Sequence, residues 1–228
     1  MKSYLQALKD VSSLPIDIDR PKRNVADWQR VLMRGVLGFA WGIGGAIVTW
    51  MVSGDRIVGA ILGAAAVFVL RHYLCQKGEK GAIVELSKML MGGIGDSELR
   101  ATYSSLAALG IFLLRPFCTY ILLIHGAWLW LPIAALLGYS ASLDCGVIAK
   151  LDQRHWIPAA AGTLLLGAIA SKALPQLHGM FMLSLVSTAL CWLLPCALQR
   201  FNLRFSAEAS LYVCEAFALV LGMAALAM

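Results

Sequence analysis

The sequence predicts an all-α protein, a polytopic integral membrane bundle of about seven transmembrane helices. Sixty per cent of the 228 residues are hydrophobic and only 14% are charged, whereas soluble domains have about 25% charged residues. The mean hydropathy is +0.75. The apolar residues also form long runs, several of which have the roughly 20 residues needed to cross a bilayer. The whole chain, residues 1–228, is therefore expected to form a single membrane domain.

The first 30 residues differ from the rest in being basic and amphipathic. Apolar residues between Tyr4 and Val11 recur at helical spacing. This region has neither an unbroken apolar core nor a small-residue cleavage site, so it does not resemble a signal peptide. We expect a short helix on the cytoplasmic membrane surface, interrupted by Pro15 and Pro21.

Seven apolar runs follow, separated by short polar turns or by proline. The first is rich in glycine, which favours close helix packing. The predicted spans are Val31–Ser53, Ile57–Leu74, Ala101–Ile124, Ala127–Ala149, Trp156–Ala173, Gly179–Leu198 and Ala209–Met228.

Lysine and arginine are distributed unevenly among the predicted loops. With a cytoplasmic N-terminus, the loops on the opposite side retain only Arg56 and Lys172. This is the asymmetry of the positive-inside rule, so we expect a multi-pass protein of the cytoplasmic (inner) membrane with its C-terminus outside. The net charge of +6 is explained by topology, and the expected partner is the lipid bilayer, with no nucleic acid.

The segment 72–100 is the only long polar interruption in the sequence, and we expect a cytoplasmic loop or helix that faces a site. Lys77, Lys80 and Arg100 either cradle phosphates of an anionic substrate or reflect topology and anionic headgroups. The glycines at 92, 93 and 95 precede Asp96. They form either a phosphate-binding backbone nest or a flexible start to the next helix.

Ionisable residues inside apolar runs are costly in a membrane and are normally paired, hydrated or functional. Glu215 lies in the last run, two helical turns after Glu208; it either contributes to a ligand or metal site or has a purely structural partner. Ser206 is expected to cap this helix. Arg115 could pair with Glu215 or Asp144, or hold an anionic substrate group, whereas Asp144 could instead extend to the interface.

Cysteine and histidine give little indication of function. The six cysteines lie mostly within spans, and no pair has the two-residue spacing of a zinc or redox motif. We expect buried, apolar thiols. The four histidines lie near the ends of spans, where an amphipathic ring is accommodated at the interface.

Four stretches resemble the cobalamin 5'-phosphate synthase (adenosylcobinamide-GDP ribazoletransferase) family. Residues 5–15, ending in Ser-Ser-Leu-Pro, resemble the family's opening helix and its Thr-Arg-Leu-Pro. The glycine-rich first span is similar in length and pattern. Asp96-Ser97-Glu98-Leu99 resembles Asp-Ser-Arg-x-Gly, and Ser206-Ala207-Glu208 with Glu215 resembles Thr-Gly-Asp followed seven residues later by Glu.

The family's aspartate-rich motif is degenerate here. The motif reads His-x-Asp-Gly-x-x-Asp-x-x-Asp-Gly, whereas residues 72–81 read HYLCQKGEKG. Clustered carboxylates hold Mg²⁺ against a pyrophosphate leaving group, because this ion prefers hard oxygen ligands. Lysines in their place repel the metal, although they can neutralise a phosphate.

The resemblance implies transfer of a phosphate-linked group, from a corrinoid GDP ester to alpha-ribazole phosphate, at the cytoplasmic face. Catalytic residues would be Asp96, Glu208 and Glu215. Phosphate-binding residues would be Lys77, Lys80, Arg100, Ser206 and Arg115. Mg²⁺ would be held by Glu79 and Glu208.

A second hypothesis is an inactive paralogue that keeps the scaffold as a binding or partner subunit, alone or as a homo-oligomer. A transporter component is a third, for which a polar path across both leaflets is expected.

Overall fold

The structure is a computed structural model that describes residues 2–16, 25–52, 54–74, 79–92, 97–145, 153–173, 179–200 and 205–226. All regular secondary structure in these ranges is helical, which confirms the predicted all-α class. The α-helices are α1 (Lys2–Val11), α2 (Asp27–Met51), α3 (Arg56–Leu74), α4 (Glu79–Leu90), α5 (Ser97–Ile124), α6 (Trp130–Cys145), α7 (Trp156–Ala173), α8 (Met180–Arg200) and α9 (Ala207–Leu226). A 3₁₀ turn at Gln153–His155 precedes α7.

Five of these helices, α2, α3, α5, α8 and α9, are long and apolar enough to cross a membrane, which identifies a multi-pass membrane protein. A helix overlaps each of the seven predicted spans. However, α7 has a shorter apolar stretch, Trp156–Lys172, and α6 has only 16 residues. The structure therefore supports a helical membrane bundle with five membrane-length helices among the described residues, and the count of about seven spans stays a prediction.

Helix α6 forms the centre of the bundle. Nearly every side chain from Trp130 to Ser142 is buried, and the helix contacts α2, α7, α8 and α9. A helix that is apolar on all faces is typical of such a central position.

Glycine allows α2 to approach α6 closely, as the glycine-rich first span predicts. A Cβ added at Gly38 would lie 2.7 Å from the Ala135 side chain and 2.8 Å from the Pro132 backbone. About two turns further along α2, the helix packs in the same way on α3, where a Cβ at Gly45 would lie 2.5 Å from Val67. Small residues are the usual means by which membrane helices come into contact.

Helix α9 packs along the other side of α6. The indole nitrogen of Trp130 donates a 2.8 Å hydrogen bond to the carbonyl oxygen of Ala218. This contact requires a glycine at position 222, because a Cβ at Gly222 would overlap the Trp130 ring. These contacts fix the position of α9 along the axis of α6.

The predicted polar segment 72–100 is called the connector below. It contains helix α4, which packs against α5 and the start of α9. The side chains at this contact form a small apolar cluster that is separate from the main core of the bundle. The carboxylate of Glu85 accepts a 2.8 Å hydrogen bond from the backbone N–H of Ser206. The connector is therefore attached to the beginning of α9.

The N-terminal segment forms helix α1, which packs on α2; its place on a membrane surface stays a prediction. Ala7 and Val11 are buried, and Tyr4 contacts Trp28 edge to face. Just after α1, the backbone N–H of Ser13 donates a 2.7 Å hydrogen bond to the carbonyl of Leu74 at the end of α3. This places α1 at the end of the bundle where α2 begins and α3 ends.

Candidate functional site

Glu215 lies in the middle of α9 and is 1% exposed. Arginines from three other helices surround it: Arg34 of α2, Arg71 of α3 and Arg115 of α5. These four residues are called the arginine cluster below. The cluster is the place where the membrane-length helices α2, α3, α5 and α9 meet through charged side chains.

Both carboxylate oxygens of Glu215 are engaged. Arg34 donates to Oε1 from Nε at 2.9 Å and from Nη2 at 2.7 Å. Arg71 donates from Nη2 to Oε2, and Nη2 of Arg115 lies 3.2 Å from the same oxygen. The pairing of Arg115 with Glu215, one of the predicted alternatives, is confirmed.

Backbone carbonyls and aromatic rings fix the arginines in place. Nη1 of Arg34 donates to the carbonyl of Val11 at 3.4 Å, so α1 also contributes to the cluster. Arg34 and Arg71 lie over the Trp41 ring at 5.0 and 5.3 Å from its centroid. Cation–π contacts of this kind hold guanidinium planes in fixed orientations.

Arg115 is held separately by α9. Its Nη2 donates to the carbonyl of Tyr212 at 3.1 Å, and its guanidinium lies 3.6 Å from the Tyr212 ring centroid. The hydroxyl of Tyr212 in turn donates to the carbonyl of Ile111 on α5. Helices α5 and α9 are therefore joined beside Glu215 by two hydrogen bonds, one donated by each helix.

The position of Glu215 depends on a small residue in α6. A Cβ added at Gly138 would lie 2.5 Å from Cα and Cγ of Glu215. The absence of a side chain at this position lets α9 come close enough to α6 for Glu215 to reach Arg34 of α2. Gly138 is therefore a structural requirement of the cluster.

A cavity of about 30 Å³ lies beside the cluster. Its polar lining comes from Trp41, Arg71, Arg115, Thr119 and Glu215, and apolar side chains of α3, α5, α6 and α9 complete the wall. The space is enough for a few small atoms, since one water needs roughly 10–15 Å³. The buried indole N–H of Trp41 has no hydrogen-bond acceptor among the described residues.

Asp144, at the end of α6, has different partners. Its Oδ2 accepts a 2.7 Å hydrogen bond from the indole of Trp156, and its Oδ1 lies 3.3 Å from Nε2 of His155. Its side chain is 12% exposed. The prediction that Asp144 could pair with Arg115 is wrong, because Arg115 contacts Glu215 instead. His155, expected at the membrane interface, is 5% exposed.

The other predicted residues of α9 lie outside the cavity. The hydroxyl of Ser206 accepts a 3.2 Å hydrogen bond from the backbone N–H of Ala209, which confirms its N-cap role. Glu208 is exposed, and one of its oxygens lies 3.3 Å from where a Cβ on Gly81 would be. Although Glu208 and Glu215 are two turns apart, the cavity lining includes only Glu215.

The site roles of several residues in the connector stay predictions. Lys77 and Asp96 lie outside the described residues. The backbones of Glu79 and Lys80 lie in α4 and that of Arg100 lies in α5, whereas their side chains are outside the described part.

The predicted Mg²⁺ site stays a prediction, because the side chain of Glu79 and the whole of Asp96 lie outside the described residues. No group of three or more His, Cys, Asp or Glu side chains that could hold a metal occurs among them. Of the predicted acids, Glu215 has both oxygens occupied by arginines, and Glu208 is exposed. Mg²⁺ prefers several hard oxygen ligands in octahedral geometry, and Glu208 is the one predicted metal ligand whose side chain the structure describes.

The prediction of the site missed Arg34, Arg71 and Trp41. Both arginines lie close to one end of the predicted spans Val31–Ser53 and Ile57–Leu74, where basic residues usually reflect topology. The rule that singles out Glu215 and Arg115, a charge within an apolar run, does not separate these two arginines from such topological charges. Nothing in the sequence distinguishes Trp41 from an ordinary core tryptophan.

No protein family, curated protein or solved structure matches this chain.

Proposed function

We propose that this protein binds an anionic group of the phosphate class at the arginine cluster. The observation that carries the proposal is the convergence of three guanidinium groups on one carboxylate inside the helical bundle, beside a cavity that two of them line. Charge inside a membrane protein is costly to insert and usually marks a functional site.

The chemistry of arginine favours this class of ligand. Each guanidinium has five N–H donors in a fixed fork that matches the oxygens of phosphate or carboxylate. Glu215 and the carbonyls of Val11 and Tyr212 accept some of these donors. An anion in the cavity would share Arg71 and Arg115 with Glu215, where low polarity strengthens the attraction.

The aromatic residues support the same proposal. Trp41 holds Arg34 and Arg71 in place before any ligand arrives, and preorganised groups lose less entropy on binding. By its volume of about 30 Å³ the cavity has room for about two waters, and a phosphate has five heavy atoms. We therefore expect Phe68 and Phe112, which border the cavity, to move when the anion binds.

A group transfer of the cobalamin synthase type is a second candidate. It is favoured by the attachment of the polar connector to the start of α9, through Glu85 and Ser206, because the resemblance requires these two regions to face one site. Such an enzyme would also bind a phosphate group. The partner-subunit and transporter alternatives, the inner-membrane location and the cytoplasmic N-terminus are likewise proposals.

Binding of pyrophosphate and glycerol 3-phosphate by the detergent-purified protein tests the proposal, with choline as a cationic probe. Arg71→Gln removes a charge-assisted contact worth about 1.5–3 kcal/mol, so we expect affinity at least tenfold weaker. Arg56→Gln is the matched control, because Arg56 is exposed at the opposite end of the same helix, and it should bind like the wild type.

Circular dichroism and gel filtration would show that both variants are folded. Saturable binding that is equal in the wild type and Arg71→Gln, or no binding of either phosphate probe by the wild type, would contradict the proposal.

A further inference from the structure

A second, larger space adjoins the cavity on its outer side. It is a groove of about 330 Å³ between α3 and α5. Every residue that lines it is apolar except for one tyrosine: Ile61, Ala64, Ala65, Phe68, Phe112, Pro116 and Tyr120. The groove therefore has no charged side chain of its own.

The groove and the charged cavity share a wall. Ala64, Phe68, Phe112 and Pro116 line both spaces. Phe68 and Phe112 contact each other edge to face, with ring centroids 5.3 Å apart. These two rings stand between the guanidiniums on one side and the apolar groove on the other.

The groove opens onto the membrane-facing surface of the bundle. Ile61 and Phe112 are 53% and 40% exposed, and both belong to helices long enough to span a bilayer. Arg71 lies in the last turn of α3. A span ends near the level of the lipid headgroups, so Arg71 is at a depth that a headgroup can reach.

We propose that the ligand is a lipid with an anionic phosphate headgroup, which binds at Arg71 and Arg115 while its hydrocarbon chain lies in the groove between α3 and α5. This inference rests on the proposed function and names its ligand class. A charged compartment joined to an apolar one through a shared wall is complementary to an amphipathic molecule that arrives laterally from the bilayer.

The two compartments have different roles in recognition. A hydrocarbon chain that moves from the bilayer into the groove exchanges one apolar environment for another, so it gains little selectivity there. Contact of the headgroup with arginine supplies the selectivity. We therefore expect discrimination between lipids by headgroup charge, with the groove adding retention.

Ala65→Trp separates the lipid proposal from simple anion binding, because Ala65 lines the groove but not the cavity. A tryptophan there fills the groove and leaves the arginines unchanged. Ala161→Trp is the matched control, since Ala161 is an exposed alanine of α7. Native mass spectrometry of the detergent-purified protein would measure binding of dioleoyl phosphatidic acid and dioleoyl phosphatidylcholine.

We expect the wild type and Ala161→Trp to bind phosphatidic acid at least tenfold more tightly than phosphatidylcholine. Ala65→Trp should lose at least tenfold in affinity for phosphatidic acid, with affinity for glycerol 3-phosphate unchanged. The glycerol 3-phosphate measurement distinguishes a lipid headgroup from a free phosphate and also shows that this variant is folded.

Equal affinity of Ala65→Trp and the wild type for phosphatidic acid would overturn the lipid proposal, as would equal binding of the two lipids by the wild type. If glycerol 3-phosphate still binds in an Arg71-dependent manner in those cases, the proposed anion binding survives without the lipid. If neither glycerol 3-phosphate nor phosphatidic acid binds, both proposals are wrong.

Discussion

Glu215 and Asp144 are acidic residues of two neighbouring apolar helices, but they find their partners at very different distances along the chain. Glu215 contacts Arg34, which is 181 residues away. Asp144 contacts His155 and Trp156, and the latter is only 12 residues away. The first carboxylate connects four helices, whereas the second connects α6 to the start of the next helix. Loss of the Glu215 carboxylate should therefore destabilise the whole bundle, whereas loss of the Asp144 carboxylate should affect only the turn between α6 and α7.

The largest effect is expected for Glu215→Gln. This change leaves three arginines, two of them buried, facing a neutral amide, and breaking a buried ion pair from one side costs about 3–5 kcal/mol. We expect a severe loss of folded protein in detergent micelles. Thermal unfolding followed by circular dichroism, together with the yield of monodisperse protein, measures it.

Glu208→Gln on the same helix is the control, because Glu208 is exposed and should leave the unfolding temperature close to that of the wild type. Equal unfolding temperatures for the two variants would show that the arginine cluster does not stabilise the bundle.

An intermediate effect is expected for Gly138→Ala, which tests the cluster without changing any charge. The new methyl group would lie 2.5 Å from Cα of Glu215, so α6 and α9 must move apart. Overpacking of this kind typically costs about 1–3 kcal/mol. The same assay should show a lower unfolding temperature.

Gly110→Ala is the matched substitution, since a Cβ at Gly110 of α5 meets nothing within 4 Å, and it should not lower the unfolding temperature. If Gly138→Ala is equally harmless, close approach of α6 and α9 is not what positions Glu215.

The smallest effect is expected for Asp144→Asn. The amide oxygen still accepts the hydrogen bond from Trp156, and only the contact with His155 loses its charge. A change of about 1 kcal/mol or less in the free energy of unfolding is expected, because a single hydrogen bond contributes about this much. A loss as large as that of Glu215→Gln would refute the distinction between the two carboxylates.

Much of the fold is encoded in local patterns. Long apolar runs predict the helices, and the glycines of the first run predict the close packing that Gly38 and Gly45 show. The central position of α6 could not be predicted, because a helix surrounded by protein and one surrounded by lipid are both apolar. Its 16 residues begin three residues after the start of the predicted run at Ala127, and the last four residues of that run, 146–149, lie outside the described part of the chain.

The site was predictable in part for a similar reason. Glu215 and Arg115 stand out as charges deep in apolar runs, and the structure brings them together. Arg34 and Arg71 lie near the ends of their runs, where basic residues usually reflect topology. Only the packing of four helices reveals that their long side chains turn inward to Glu215 instead of outward to water.

The separation of 181 residues between Arg34 and Glu215 has a consequence for biosynthesis. At roughly 5–20 residues per second, the ribosome needs about 10–35 s to complete the intervening chain. Throughout that interval the nascent protein carries Arg34 without its acidic partner. Final assembly of the bundle must therefore wait until the last helix has been inserted, and factors that shield nascent charge in the membrane would act during this delay.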